Sequence, residues 1–438
     1  MKRIVSLFFF FALASSSSFL HTYSAPASNT TLTTLSMEEA IEIAHKNKPS
    51  LQALEQRVYL SKVEERQAWA GYYPTVNLIS NLRQQRGQSG PQALATLSAN
   101  QLIYDFAGPQ AQAKRARKKT ESQRYYTQQL YNDVRLDVAR TFLQCWRIQQ
   151  QRAAIQALNI SSQEIFDQAR HEEKLHLLDK NVFLHNAETH ATDLATVYSY
   201  HQDVEIFQRR LEFLMGQTVN LNIVPHKNSE LPTTKLVWQN EQEIQLYDIN
   251  LYHAIALSNH PEIKEQQKNI EVHHESEKIA LNQHLPKFSV HALAGATNVA
   301  ETGYSNYHNF GIAMHWDIFN LPYIDYQAKL ARVQKLEATL MKQEIENRVR
   351  SEVATAYYSL TQEVSKLRAE RFHYARAHNE FTLKSQELAT GLISPVDLIV
   401  AQTTWKNAQI ALINQQVATE IRRQELLHKC GYSEKIIV

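Results

Sequence analysis

Nineteen histidines among 438 residues invite a metal-binding reading. A helix-borne metal pair needs two imidazoles on one face, as the i,i+4 spacing of H-E-x-x-H supplies. His171 and His176 stand five apart, and His273 and His274 are adjacent and leave a helix in different directions. Solvated histidines on helix faces are therefore expected, and no metal site. The two cysteines, Cys145 and Cys430, lie in separate helical patterns. Two isolated cysteines in a chain of this length are not a disulfide scaffold; buried free thiols are preferred over a pair. The sequence has no G-x-S-x-G nucleophile elbow, no Walker A loop and no G-x-G-x-x-G. No enzyme and no cofactor are expected. Lys plus Arg (46) nearly balance Asp plus Glu (44), which removes the electrostatic footprint of a nucleic-acid binder.

With catalysis set aside, the scaffold itself carries the information. Gly (10) and Pro (11) are scarce, so long uninterrupted elements are expected. The first residues read as a secretory signal over 1–25: Lys2 and Arg3, then an apolar run from Ile4 to Leu13, then small residues from Ala14 to Ser18. Cleavage falls either after Ala14 or near Ala25 to Ala27. No later apolar run reaches spanning length, so the mature chain is either exported and soluble or crosses a membrane as strands.

The chain repeats itself. Pro49 and Pro261, and again Pro74 and Pro286, are separated by 212 residues. Tyr104 and Phe319, Val134 and Val349, Phe142 and Tyr357, and Gly216 and Gly431 are separated by 215. Register held over so many landmarks marks two structural copies. They occupy 26–216 and 249–438, joined by an aperiodic connector over 217–248 that carries Pro225 and Pro232.

Each copy reads as helix, hairpin, long helix, tight turn, helix. Ser36-Met37-Glu38-Glu39 is a capping box that opens a helix running towards Ala68; its counterpart runs from about Leu251 to Asn282. After each proline the apolar period drops towards two. In the hairpin at 74–104, Val76, Leu78 and Leu82 alternate with polar residues, with Ile79 and Ser80 out of step; a polar loop, Arg83 to Pro91, follows. In the hairpin at 286–319, Phe310, Ile312, Met314 and Trp316 share one face, and Gly311, Ala313, His315 and Asp317 the other. One such hairpin alone would suit an ordinary core. Two of them, beside very long helices and behind an export signal, favour transmembrane barrel strands whose apolar face, Phe310 to Trp316, meets lipid. His291 and His315 then point into the barrel, and Tyr72, Tyr73, Tyr104, Phe106, Tyr304, Tyr307, Phe319 and Tyr323 are candidates for interfacial girdles. Four strands fall short of the roughly eight that close a barrel, so several chains must contribute.

Long helical patterns fill 109–215 and 324–430 apart from one break each, and from Gln110 to about Arg170 there is no Gly or Pro. The first, from Gln110 to about Arg170, would extend roughly 90 Å and needs neighbouring helices along its length. The break at Thr390-Gly391-Leu392-Ile393-Ser394-Pro395 pairs a left-handed glycine with an N-cap serine and a first-turn proline.

In this order, the phrases Ser36-Met37-Glu38-Glu39-Ala40-Ile41, Ala70-Gly71-Tyr72-Tyr73-Pro74-Thr75-Val76 and Gly391-Leu392-Ile393-Ser394-Pro395-Val396-Asp397-Leu398 resemble the TolC-like outer-membrane efflux proteins, over about Leu35 to Gly431. The resemblance implies a mainly α chain with a transmembrane β part. It implies a homotrimer forming a twelve-stranded barrel in outer-membrane lipid above a periplasmic α-helical tunnel. It implies a passive exit duct for tripartite efflux or type I secretion, recruited by a periplasmic adaptor and an inner-membrane pump. It carries Gly391, Leu392, Ile393 and Ser394 over as the adaptor-contact turn and Asp397 as a gate residue, although Asp397 suits a solvated first-turn position as well. The first tip departs from the pattern, with His176 for Gly391 and Val182 for Asp397, so docking and gating are expected mainly in the second copy. Val400 replaces a further acidic residue found in some members. The alternative is a periplasmic coiled-coil adaptor, which should carry a lipoyl-like β module that the sequence does not display.

Overall fold

In the computed structural model, residues 35–83, 92–106, 108–217, 246–299, 303–316 and 321–432 are described. The signal segment, positions 84–91 of the first hairpin loop, nearly all of the connector, and Asp317 and Phe319 lie outside them.

The first copy comprises α1 (Met37–Asn47), α2 (Pro49–Ala70), β1 (Thr75–Arg83), β2 (Gln92–Tyr104), α3 (Gly108–Lys174) and α4 (Lys180–Met215). The second comprises α5 (Ile249–Asn259), α6 (Pro261–Asn282), β3 (Lys287–Val299), β4 (Gly303–His315), α7 (Leu321–Ala389) and α8 (Pro395–Lys429). The helix expected from Ser36 to Ala68 is divided. Lys48 is extended (φ −65°, ψ 117°), because the proline that follows it disfavours the helical region. His260 before Pro261 divides the second copy in the same way. The capping box at Ser36 forms as read, with Glu39 closing it reciprocally.

At 67 and 69 residues, α3 and α7 each run about 100 Å. The helices form one layer. Next to the sheet its order is α2, α3, α6, α7; farther away it is α4, α3, α8, α7. Thus α2 and α4 lie end to end along α3, and α6 and α8 lie end to end between α3 and α7.

Each copy has its own apolar core where these pieces meet. Ala44, Leu51, Val138, Leu211 and Met215 pack in the first, and Ala256, Ile263, Val353, Leu426 and Cys430 occupy the equivalent positions in the second. Cys145 belongs to the first core and Cys430 to the second, and both thiols are free. Burial pushes each thiol up to about 12, so neither is a reactive thiolate. Between the copies the seams are polar. On the α3–α6 seam Lys118 pairs with Glu271 (2.8 Å) and Lys268 with Glu121 (3.1 Å). On the α3–α8 seam Arg140 meets Glu425 and His428 meets Asp133, both at 2.7 Å.

Candidate functional site

The four strands form one antiparallel sheet in the order β1-β2-β3-β4. Its register decides which residues share a face. Leu78 stands opposite Leu97, Leu97 opposite Ala294, Ala292 opposite Phe310, Val290 opposite Ile312 and Phe288 opposite Met314. All of these side chains therefore leave the same side. The other side receives Asn77, Ser98, Thr96, Asn100, His291, Asn309 and Tyr307. The exceptions read from the sequence are seen: Ile79 projects from the polar side and Ser80 from the apolar one, and Leu293 joins Ile79 on the polar side. On the apolar side Phe310 is 75% and Ile312 72% exposed, and Met314 is likewise exposed. Trp316 lies one residue past the end of β4, with its indole N–H donating to the His284 carbonyl at 3.0 Å.

A β-bulge between Leu102 and Tyr104 aligns Tyr104 with Phe288, bringing the tyrosine to the apolar side at the helix end of the sheet. Tyr304 marks the opposite end of that side. Tyr307, read above as a girdle residue, is not one: it stands on the polar side, and its ring lies over Gly295. Its hydroxyl shares a 2.6 Å hydrogen bond with Thr96. His291 also stands on the polar side, its ring over Gly311.

At the far end are the two helix–helix turns. Gly391 takes a left-handed conformation (φ 74°); its N–H donates to Leu388 and that of Leu392 to Glu387, ending α7 in a Schellman turn. Ser394 caps α8, and Asp397 completes the box: Ser394 donates its backbone N–H (3.1 Å) and hydroxyl (2.8 Å) to the carboxylate, while the Asp397 N–H donates to the serine oxygen. These bonds from the Ser394 hydroxyl and backbone hold the exposed Asp397 carboxyl below its usual range. Asp397 thus has a structural partner inside its own turn, which sequence reading missed although the S-x-x-D spacing signalled it. Ile393 is half-buried, while Leu392 is 75% exposed.

The first tip keeps this backbone despite its different residues. His176 takes the left-handed conformation (φ 57°), donating to Glu173, while Leu177 donates to Glu172. Asp179 caps α4 by accepting from the Asn181 N–H at 2.7 Å. Leu177 is 75% exposed, matching Leu392. Val182, in the place of Asp397, contributes no carboxylate.

Two flanks of the helical layer have no neighbour among the described residues. One is formed by α2 and α4, where Tyr59, Leu60, Leu184, Tyr198 and Phe213 are exposed; the other is α7, where Tyr326, Val333, Leu340, Tyr358 and Phe372 are. On α7 these residues keep to one side of the helix over most of its length. The outer edges of β1 and β4 are likewise unpaired. Among the described residues no helix is long and apolar enough to cross a membrane, and no group of three or more His, Cys, Asp or Glu side chains could hold a metal ion.

Residues 254–431, most of the second copy, match the outer membrane efflux protein family. The fold is shared with the CmeC outer membrane channel of Campylobacter jejuni, at 14% identity and a TM-score of 0.71 over 90% of this chain and 85% of that one. It is shared with the outer membrane protein VceC of Vibrio cholerae, at 16% identity and a TM-score of 0.69 over 90% and 96%. It is shared too with the MtrE outer membrane channel of Neisseria gonorrhoeae in its open state, at 12% identity and a TM-score of 0.72 over 90% and 88%. At these identities the likeness is one of fold. No curated protein matches the sequence. The resemblance to the TolC-like outer-membrane efflux proteins is borne out, as is the mainly helical, duplicated fold with its small sheet.

Proposed function

We propose that this TolC-like outer-membrane efflux chain is one subunit of a trimeric channel, a passive exit duct whose barrel lies in the outer membrane and whose helices continue it as a periplasmic tunnel. The observation that carries the reading is the sheet. It has one exposed, mainly apolar side that runs from edge to edge around Ser80, Gln101, Asn306 and His308, one mainly polar side, and two edges unpaired among the described residues. Backbone groups in hydrocarbon need partners, so such a sheet is stable in lipid only when its edges close on other strands. Pairing β4 of one chain with β1 of the next gives twelve strands from three chains. The same head-to-tail step lays the apolar flank of α7 against the flank formed by α2 and α4, a heterologous contact that closes into a ring.

The energy for transport comes from an inner-membrane pump reached through a periplasmic adaptor. The turns bearing Leu177 and Leu392 are the surfaces offered to that adaptor, and the Asp397 carboxylates narrow the entrance. Drugs, metal ions and secreted proteins are the cargo classes such ducts serve, and the pump selects among them.

Membrane fractionation with edge crosslinking tests the reading. Cysteines introduced at facing positions on the β1 and β4 edges should yield a crosslinked trimer in the outer-membrane fraction. Recovery of the mature chain as a soluble periplasmic monomer overturns it. Co-purification of a crosslinked adaptor and pump tests the partners.

A further inference from the structure

On the polar side of the sheet two rings, those of Tyr307 and His291, lie over glycines. Thr96, Gly295 and Tyr307 are in register across β2, β3 and β4. From β4 the Tyr307 ring crosses β3 directly above Gly295, and its hydroxyl reaches the Thr96 hydroxyl on β2 at 2.6 Å. Thr96 is only 8% exposed, although most of its sheet faces solvent, because the phenol covers it. A methyl group on Gly295 would collide with the Tyr307 ring. The second case runs the opposite way: the His291 ring leans from β3 onto Gly311 of β4, where an added Cβ would meet the imidazole Cε1 at 3.0 Å. Both glycines have a negative φ, so neither is required by the backbone. What they supply is space against the wall for an aromatic ring, a device known to pin sheet register.

We propose that Gly295 and Gly311 set the bore of the barrel, by seating Tyr307 and His291 flat against the inner wall and leaving the lumen open to bulky cargo. Tyr307 is a positioning residue for pore width, latched by Thr96. The inference rests on the barrel reading above, in which the polar side lines the lumen. It adds a size filter whose setting depends on residues without side chains. A single ring released from the wall, repeated in every subunit, projects towards the axis from all sides at one height.

The test places Ser289→Cys on the polar side at the helix end of β3, beyond both rings when approached from the hairpin loops. Cys145 and Cys430 are buried and contribute no background. Intact cells are treated with membrane-impermeant maleimides of graded size. In the otherwise unaltered barrel a range of sizes reacts. In Gly295→Ala labelling by the largest of these reagents is lost while the smallest still reacts, and Gly295→Ala/Tyr307→Ala recovers it. Thr96→Val, which removes the latch without adding bulk, gives the same loss should Gly295→Ala fail to assemble. An unchanged size limit in Gly295→Ala and Thr96→Val overturns the inference and leaves the channel reading standing. If no impermeant reagent of any size reaches Ser289→Cys in the parent, the channel reading itself fails.

Discussion

Gly216 closes against Asn47: a Cβ built on the glycine would stand 2.9 Å from the Asn47 carbonyl oxygen, and Gly431 stands in the same relation to Asn259, at 3.2 Å. Each glycine ends a returning helix in the left-handed conformation, with φ of 68° and 79°. A Cβ on either glycine would also meet the Cα of the extended residue, Lys48 or His260, that divides the opening helix of its copy, at 3.4 Å. The junction of α4 with α2, and of α8 with α6, is thereby fixed at one height in both copies.

Replacing either glycine combines a left-handed penalty of about 1–2 kcal/mol with a backbone collision. Gly216→Ala and Gly431→Ala should each lower the thermal midpoint of the detergent-solubilised protein, followed by helical circular dichroism. Equal melting of both variants and the parent would contradict a close-packed junction.

His260, at the second junction, is buried, and that burial, with the nearby His428, holds its imidazole down to about 4. Glu352 pulls in the other direction, and Lys429 and Arg348 reinforce the depression. An unfolded histidine takes up its proton near 6.5, so the folded state binds fewer protons below that value. The stabilisation is complete above pH 6.5, is lost as pH falls towards about 4, and amounts to a few kcal/mol in order of magnitude. His260→Gln should flatten the stability profile in this window. A profile that keeps its full slope would show that another group controls it.

The square of Lys118, Glu121, Lys268 and Glu271 joins the two copies. Partial burial disfavours both carboxylates, yet Lys268 and Lys118 outweigh it and hold them below the ordinary value of 4.5. Their contribution is therefore present above that pH and fades as acid protonates them through their lowered values. Glu121→Gln/Glu271→Gln should cost about 1 kcal/mol near neutrality, in the range of partly exposed pairs. The difference from the parent should shrink on acidification, which melting at two pH values reads directly.

Lipid exposure makes a depth-dependent demand. Ile312→Arg should destabilise the assembled barrel by about 2–4 kcal/mol if it lies near the bilayer midplane. Asn309→Arg, on the polar side of the same strand, should be tolerated. Trimer yield from outer membranes measures both, and equal loss would remove the distinction between the faces.

At the tips, Asp397 combines a charge with a cap, and two substitutions separate them. Asp397→Asn removes the charge and keeps an acceptor for Ser394, whereas Ser394→Ala weakens the cap and keeps the charge. A gate acting through charge predicts greater leak to bulky antibiotics in Asp397→Asn only. Increased leak in Ser394→Ala alone would assign the effect to helix capping.

Much of this architecture was legible from local chemistry. The alternation around Phe310, Ile312 and Met314 named a face, and Ser36, Ser394 and Gly391 named helix ends, because each signal acts within a few residues. The pairing of β2 with β3 was not legible, since strands nearly 200 residues apart leave no trace in each other's spacing. The division at Lys48 was missed because the apolar period continues through Pro49, whose own position is favourable for starting a helix. The first tip was judged by residue type, and His176 looked like a departure. A left-handed non-glycine residue is costly but permitted, and capping by Asp179 with the surrounding hydrogen bonds holds it there. Tyr307 was misplaced although the alternation of its own strand already assigned it to the polar side, three residues before Phe310; what lay outside the local pattern is only that Gly295, on another strand, receives its ring.

The junctions at Gly216 and Gly431 have a mechanical consequence. Beside each continuous rod, α3 or α7, runs a partner made of two segments that meet at a joint. The rod crosses the joint as one unbroken helix, while no helical hydrogen bond spans the joint in the segmented partner, whose two ends are held together by the glycine contacts instead. The backbone ladder is therefore continuous in α3 and α7 and interrupted beside them at Gly216 and Gly431, the positions at which bending the wall breaks the fewest helical hydrogen bonds.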